Sequence, residues 1–190
     1  VQPKPGSLRQ LQWVKEPCLA RKGNEVAIRV QASGLNYRDV LSAIGLLPDE
    51  VLMDGFAGAT LGMECAGVIE AVGDTVQHLV PGQRVMALSS AAHASRVITD
   101  AASVMVLPDD FSMEDAATLP VAFLTALHAL ETVGQLQHGE TILIHGAAGG
   151  VGLAAIQYAT YKGARVIATA GTAVKRAALK RLGIELLFDR

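Results

Sequence analysis

Glycines crowd one short stretch of the sequence, between an apolar run and a helical pattern. The stretch reads His145-Gly-Ala-Ala-Gly-Gly-Val-Gly152. Glycines at such positions let the chain turn sharply off a strand, bring backbone N–H groups against a pyrophosphate and let the next helix pack closely. The first turn of that helix adds unpaired N–H donors and a positive dipole end. The predicted dinucleotide-phosphate contacts are Gly146, Gly149, Gly150, Val151 and Gly152. Because the spacing departs from G-x-G-x-x-G, a merely tight structural turn is the alternative.

The second predicted strand of this region ends without an acidic residue. NAD sites usually place Asp or Glu here, where the carboxylate accepts a hydrogen bond from the adenosine ribose. This segment reads Thr169-Ala-Gly-Thr172, and Lys175 and Arg176 follow it. A missing carboxylate and nearby cations suit a 2′-phosphate, so NADPH is the predicted cofactor. The alternative is that both cations belong to an ordinary solvated helix face.

Metal-ligating residue types are too few and too scattered to predict a metal centre. The two cysteines, Cys18 and Cys65, cannot form a disulfide framework or a multi-cysteine zinc cluster. The five histidines show no paired spacing; they are His78, His93, His128, His138 and His145. We therefore predict no bound metal, with the histidines on the surface or satisfied in the core.

Short strands separated by turn signals fill the first part of the chain. Apolar alternation and flanking Gly or Pro predict strands at Val26–Gln31, Cys65–Val72, Arg84–Leu88, Ser95–Thr99 and Ser103–Leu107. The segment Leu11–Val14 is interpreted as an entry strand. Strands at this spacing predict a small, irregular β-barrel or sandwich over residues 1–111.

Longer helices alternate with buried strands after Pro108. Ser112 is the predicted N-cap of a helix that Pro120 interrupts, and a second helix is predicted over Val121–Val133. Further strands are predicted at Thr141–His145, Arg165–Ala170 and Leu186–Phe188, with helices at Val151–Lys162 and Thr172–Leu182. This alternation predicts a βαβ unit with a parallel sheet over residues 112–190.

Composition narrows the class of protein. The 190 residues carry 16 Lys+Arg against 18 Asp+Glu, a net charge of −2, which supplies no positive field for nucleic acid. The longest uncharged stretch, residues 141–161, is interrupted by glycines, so no membrane-spanning helix is expected. No signal-peptide pattern opens the chain, and we expect a cytoplasmic protein.

Several motifs, spread over nearly the whole chain, match one family in type and order. They are Gly34-Leu-Asn-Tyr-Arg-Asp-Val-Leu41, Leu61-Gly-Met-Glu64, Pro81-Gly-Gln-Arg-Val85, Ala117-Thr-Leu-Pro120 with Leu124-Thr-Ala-Leu127, Ile144-His-Gly-Ala-Ala-Gly-Gly-Val-Gly152 and Gly171-Thr-Ala-Val-Lys-Arg176. The chain resembles the zinc-free medium-chain dehydrogenase/reductases, and within them the enoyl reductase domains of polyketide and animal fatty acid synthases. Met63 stands where zinc alcohol dehydrogenases of this layout carry a ligand His.

The resemblance implies an α/β fold in which a GroES-like, β-rich substrate domain precedes a Rossmann domain, a doubly wound parallel sheet. It implies NADPH-dependent reduction of a trans-2-enoyl thioester carried on an acyl carrier protein, next to other synthase domains. Relatives often pair through the edge of the Rossmann sheet, so a homodimer is an expected partner state, although the sequence leaves the oligomeric state open.

The resemblance also implies roles for individual residues. Thr125 matches a threonine that faces the nicotinamide, and Asn36 lies at a turn near the cofactor; a back-bonded helical hydroxyl and a plain turn-former are the alternatives. Lys175 matches a proposed proton donor, a role that competes with binding the 2′-phosphate. Tyr37 is a second candidate donor, with burial in the core of the small domain as its alternative. Gly171 and Thr172 complete the expected cofactor contacts.

One position departs from the family pattern, and two other functions stay open. Leu47 stands before Pro48 where many relatives carry tyrosine, so tyrosine-dependent stereocontrol is not expected there. The other functions are a free-standing NADPH quinone or alkenal reductase and a catalytically silent NADP-binding scaffold domain.

The length predicts an incomplete cofactor domain. A Rossmann domain needs six strands, and few residues follow Gly152. We therefore expect residues 112–190 to be its N-terminal part, cut from a larger polypeptide, as Val1 at the start also suggests. An isolated chain of this kind is expected to expose apolar sheet and to bind NADPH poorly.

Overall fold

Two compact units make up the fold. The computed structural model describes residues 6–15 and 22–189. The units are Val1–Pro120 and Val121–Arg190. The sequence-based boundary, at 111/112, lies before this division. The helix Met113–Ala116, near the end of the first unit, packs on strands of that unit, and Ala116 and Ala117 share a small core cluster with Ala66.

Antiparallel strands form the body of the first unit. They are β1 (Glu25–Ser33), β2 (Glu64–Val72), β3 (Arg84–Leu88), β4 (Arg96–Asp100) and β5 (Val104–Val106). Their order in the sheet is β4-β1-β2-β3-β5, and every pairing is antiparallel. Each of these strands lies within a residue or two of its predicted position. Alternate side chains such as Val26, Ile28, Ile69 and Val85 form the core on one face.

Two short helices of the first unit were missed by the strand-only interpretation. They are α1 (Tyr37–Ala43) and α2 (Asp49–Asp54). At the start of α1, the Asn36 backbone N–H donates to Asp39 Oδ2 at 3.0 Å, and Asp39 N–H donates to the Asn36 carbonyl at 2.9 Å. This reciprocal arrangement fixes the entry of the chain into the helix.

The entry strand predicted at Leu11–Val14 is wrong. A single 3-10 turn, Leu8–Gln10, precedes this segment, which itself forms neither strand nor helix. Trp13 is 84% exposed, so its indole contributes little to a core. Cys18 and residues 1–5 lie outside the described residues.

Parallel strands and helices alternate in the second unit, which confirms the predicted fold class. The strands are β6 (Thr141–Ile144), β7 (Arg165–Thr169) and β8 (Leu186–Phe188), in the order β6-β7-β8. Its helices are α4 (Pro120–Leu127), which begins at the last residue of the first unit, α5 (Gly150–Tyr161) and α6 (Ala173–Arg181). The helix Met113–Ala116 of the first unit is α3. Ile144, Ile156, Val166 and Leu179 pack between sheet and helices.

The helix predicted over Val121–Val133 changes character midway. After α4 the segment His128–Val133 is π-helical. Its widened turn is seen where Gly134 N–H donates to the Ala129 carbonyl, five residues back, at 2.8 Å. A π-helical turn is much rarer than an α-helical one, and the sequence pattern did not signal it.

Candidate functional site

The glycine turn between β6 and α5 is held in one shape by backbone constraints. Gly146 adopts φ +62°, a left-handed conformation that favours glycine. Gly149 N–H donates to the Gly146 carbonyl at 2.9 Å. A Cβ on Gly152 would lie 2.6 Å from Ala147 Cα, so only glycine lets helix and turn approach this closely. At Gly146 and Gly152, two of the predicted positions, the shape of the turn therefore requires glycine.

The open side of the turn suits an anion. Helix α5 begins at Gly150 with Gly149 as its N-cap, and Leu153 N–H is bonded to the Gly149 carbonyl at 2.8 Å. The N–H groups of the first turn have no partner within the helix, and the helix dipole is positive there. A Cβ on Gly150 would meet nothing within 4 Å, so the backbone is open to a ligand at this point. The turn therefore fits a pyrophosphate.

A cleft of about 150 Å³ lies between this turn and the start of α6. Its lining residues are Gly146, Ala148, Ala170, Gly171, Thr172 and Lys175. Thr172 caps α6, because its Oγ1 accepts from Lys175 N–H at 3.3 Å. The structure therefore brings together the predicted residues of both strand ends, the glycine turn after β6 and the Gly171–Lys175 segment after β7.

The two cations after β7 have different surroundings. Arg176 Nη1 donates to the Ala170 carbonyl at 2.6 Å and to Asp189 Oδ1 at 2.8 Å. Lys175 lines the cleft, and its ammonium makes no ion pair or hydrogen bond with any residue that the structure describes. Lys175 is thus the cation left for a ligand in this cleft, while Arg176 ties the end of β7 to the end of β8.

Thr125 lies on α4 in the same unit as the cleft. Its Oγ1 donates to the Val121 carbonyl at 2.6 Å, one turn earlier in the helix. This is the back-bonded geometry named as the alternative above. Since the bond takes the only hydroxyl proton, the oxygen keeps its lone pairs and can still accept a hydrogen bond.

Asn36 and Tyr37 belong to the first unit. Asn36 Nδ2 donates to Glu64 Oε1 at 2.8 Å, and Glu64 is only 3% exposed. Because Glu64 is buried, this bond fixes the direction of the Asn36 amide. Tyr37 is 76% exposed, so the alternative of a core aromatic is wrong for it.

A second buried carboxylate supports the turn before β2. Asp39 is 3% exposed, and its Oδ1 accepts from Gly62 N–H at 2.8 Å. Its Oδ2 lies 3.8 Å from His93 Nε2. Asp39 therefore links the start of α1 to the segment that leads into β2.

Cys65 is buried beside this network. Burial, followed by the negative charge of Glu64, raises the pKa of the thiol to about 12. A thiol with that pKa is neutral at physiological pH and is a poor nucleophile or metal ligand. Among residues 6–15 and 22–189 no group of three or more His, Cys, Asp or Glu is placed to hold a metal ion.

The comparison with known proteins decides the family. A family model, the alcohol dehydrogenase GroES-like domain, matches residues 22–113. The crystal structure of CurK enoyl reductase is similar across 99% of this chain, with 40% identity and a TM-score of 0.91. The chain belongs to the medium-chain dehydrogenase/reductase family.

Other proteins that are similar to this chain add context to the family assignment. A phenolphthiocerol/phthiocerol polyketide synthase of Mycobacterium tuberculosis is 45% identical over 168 residues, 88% of this chain. A mycobacterial protein solved in complex with NADPH is 32% identical, with a TM-score of 0.83 over 99% of this chain and 57% of its own. Quinone oxidoreductases are also among the similar solved structures.

The chain spans only part of the length of these relatives. It covers 8% of the mycobacterial polyketide synthase and 58% of the CurK enoyl reductase chain. The resemblance to synthase enoyl reductases and the GroES-like and Rossmann fold class are confirmed. No helix in the described part of the chain is long and apolar enough to cross a membrane.

Sequence reasoning missed two residues that shape the site. Thr169 was noted only because it is not acidic, yet its buried hydroxyl contacts the glycine turn. Glu64 was noted only within a motif, yet it orients the Asn36 amide. A polar residue at the end of a largely apolar strand is the sequence signal that could have found both, because buried polar groups need specific partners.

Proposed function

We propose that this chain is part of an enoyl reductase that uses NADPH to reduce a trans-2-enoyl thioester carried on an acyl carrier protein. One observation carries the proposal: a glycine turn open to a pyrophosphate borders a cleft whose described lining residues include Lys175 and no carboxylate. The 45% identity to a polyketide synthase supports the synthase setting. We assign substrate binding to residues 1–111 and cofactor binding to residues 112–190.

The residues after β6 and β7 fit a dinucleotide phosphate. N–H groups at Gly150, Val151 and Gly152 would face the pyrophosphate, since these residues form the first turn of α5. Gly171 and Thr172 would border the adenosine ribose, because they follow the second strand of the βαβ unit. When bound, NADPH supplies the hydride that adds to the β-carbon of the substrate.

Lys175 is the residue proposed to select NADPH over NADH. Lys175 lines the cleft at the end of β7, where a 2′-phosphate would lie, and none of the described residues that line this cleft is acidic. A lysine ammonium binds phosphate as a compact charge with three donors. Its other predicted role is that of proton donor to the α-carbon, for which the side chain would have to reach the nicotinamide. Because the two roles involve different parts of the cofactor, an experiment can separate them.

Thr125 and Asn36 are proposed to orient the nicotinamide end of the cofactor. The back-bonded Thr125 hydroxyl can only accept, which suits the N–H donors of a carboxamide. Asn36 is fixed through Nδ2 on Glu64, so its carbonyl oxygen keeps one direction. Tyr37, exposed and without a hydrogen bond from its hydroxyl to any described residue, remains the second candidate proton donor.

The proposed partners follow from the proposed substrate. An acyl carrier protein would present the enoyl thioester, and other synthase domains would flank this one. A homodimer and a cytoplasmic location are the remaining proposals, and neither nucleic acid nor membrane is expected as a partner.

The decisive experiment uses the purified full-length protein. NADPH oxidation is followed by absorbance with crotonyl-pantetheine thioester, with a soluble quinone and with no acceptor. We expect turnover with the thioester, and NADH should serve poorly. Turnover with the quinone alone would replace the proposal by the free-standing quinone reductase, which the similar solved quinone oxidoreductases favour. NADPH binding without turnover on either acceptor would support the silent scaffold.

A further inference from the structure

Thr169 occupies the last position of β7, beside the glycine turn. The residue is only 7% exposed. Its Oγ1 accepts from Gly146 N–H at 3.2 Å, and its backbone carbonyl accepts from Ala147 N–H at 3.0 Å. One residue therefore holds two successive amides of the turn, the first through its side chain and the second through its main chain.

The side-chain bond acts where the turn leaves the sheet. Gly146 is the residue with φ +62°, and its carbonyl accepts at 2.9 Å from the N–H of Gly149, the N-cap of α5. A shift of Gly146 would therefore move the cap and, with it, the N–H groups of the first helical turn. The buried Thr169 hydroxyl, which accepts from Gly146 N–H, restrains such a shift of Gly146. The backbone hydrogen bond of Ala147 N–H restrains only Ala147.

A third contact gives the hydroxyl proton a partner. His145 Nδ1 lies 3.3 Å from Thr169 Oγ1. Since Oγ1 already accepts from Gly146 N–H, its own proton can be donated to Nδ1 of a neutral imidazole. The hydroxyl is then satisfied as donor and as acceptor, which a buried polar group needs. Valine has the same shape but offers neither role, so packing alone does not account for a threonine here.

We propose that Thr169 is a positioning residue whose hydroxyl, through Gly146, holds the glycine turn in its cofactor-binding shape. This inference rests on the proposed function, because it assigns the turn to NADPH. Losing one hydrogen bond of this kind should weaken NADPH binding about five-fold. The turnover number should stay nearly unchanged, since Thr169 lies at the phosphate end of the site.

The test compares Thr169→Val with Thr169→Ser in the full-length protein. Hydrogen exchange resolved to single amides is measured without cofactor, and the NADPH dissociation constant, KM and kcat are measured with it. In Thr169→Val, Gly146 N–H should exchange faster while Ala147 N–H, bonded to the backbone of residue 169, stays protected. Serine should restore both the protection of Gly146 and the NADPH affinity.

Three outcomes distinguish a failure of this inference from a failure of the proposed function. Unchanged exchange at Gly146 in Thr169→Val would overturn the positioning role. Faster exchange with unaltered NADPH affinity would also overturn it, because the turn would then tolerate the loss. If the unaltered protein binds no NADPH, the proposed function itself fails, and the inference fails with it.

Discussion

At the scale of single residues, the site depends on two neighbouring cations, of which Arg176 is held by hydrogen bonds and Lys175 is not. Arg176 is engaged by the Ala170 carbonyl and by Asp189, so its guanidinium holds the sheet end together. Lys175, one position earlier, faces the cleft without such a partner among the described residues. Neighbouring cations in one helix can thus have separate jobs, which a count of charges would not reveal.

We expect Lys175→Ala to separate the two roles proposed for this lysine. If the ammonium binds the 2′-phosphate, NADPH affinity should fall about ten-fold or more and NADH affinity should not change, because one charge-assisted bond contributes about 1.5–3 kcal/mol. If it donates a proton, kcat should fall while the dissociation constant of NADPH stays constant. Fluorescence titration and initial rates distinguish the cases, and unchanged values in both would remove Lys175 from the site. Lys180→Ala, in the last turn of α6, is the control.

A pair of glycine substitutions tests the turn itself. Gly152→Ala should lower stability by about 3 kcal/mol, because the new methyl would lie 2.6 Å from backbone atoms of Ala147. Gly150→Ala meets open space and should leave stability unchanged or slightly higher, while it weakens NADPH binding. Thermal unfolding and cofactor titration give both readouts. Equal losses of stability in the two variants would contradict this account of the turn.

At the scale of elements, the outer face of the first sheet places like charges opposite each other. Arg29 on β1 pairs with Arg96 on β4, an arrangement that is destabilising by itself. The Glu70 carboxylate on β2 offsets both positive charges. It accepts a hydrogen bond from Arg96 Nε and lies 3.8 Å from Arg29 Nε. It lies at a register shift between β1 and β2, where the extra residue can turn its side chain toward them.

This cluster predicts an acid-sensitive contribution to stability. The hydrogen bond from Arg96, followed by the arginine charges, lowers the pKa of Glu70 below its ordinary value of 4.5. A lowered pKa in the folded state means that the contribution is present above the unfolded-state pKa and is lost as the pH falls through the folded-state value. Thermal unfolding between pH 6 and about pH 3 should therefore decline more steeply for the unaltered protein than for Glu70→Gln.

The effect should be small and sensitive to salt, because the Glu70 side chain is only half-buried and still reached by solvent. Glu185→Gln is the matched control, because Glu185 is exposed and makes no ion pair with any residue that the structure describes. Identical pH profiles for Glu70→Gln and the unaltered protein would show that Glu70 does not act through its charge.

The strands were predictable because alternation and turn residues act locally. The pattern of Arg84–Leu88 needs no partner to be interpreted, and the observed strand has those bounds. Helix α1 was not predictable in this way, because seven residues that follow a turn carry too little periodicity. The exposure of Tyr37 was missed for a related reason: the face that a short helix buries is decided by the elements that cover it.

The same limit explains what was found and missed in the site. The glycines could be found from the sequence, because a left-handed φ at Gly146 and the close contact at Gly152 restrict those positions to one residue type. Thr169 and Glu64 gain their importance from partners far along the chain, at Gly146 and Asn36. Spacing within one segment cannot reveal such pairs.

At the scale of the whole molecule, two separate cores stabilise the two units. One cluster gathers strands of the first unit around Val26, Ile28 and Ile69. Another gathers the parallel sheet and its helices around Ile144, Ala168 and Leu179. Because apolar burial is the main stabilising contribution in folding, each unit has its own source of stability.

We therefore expect core substitutions to act within the unit that contains them. Ile69→Ala and Leu179→Ala each remove a side chain that is at most 1% exposed, and each should cost about 2–5 kcal/mol. Hydrogen exchange should accelerate in residues 22–120 for the first variant and in residues 121–189 for the second, with the other unit little changed. Thr75→Ala, on the loop after β2, serves as a surface control. Equal acceleration in both units for either core variant would mean that the chain unfolds as one cooperative body, and the separate cores would then not define separate units of stability.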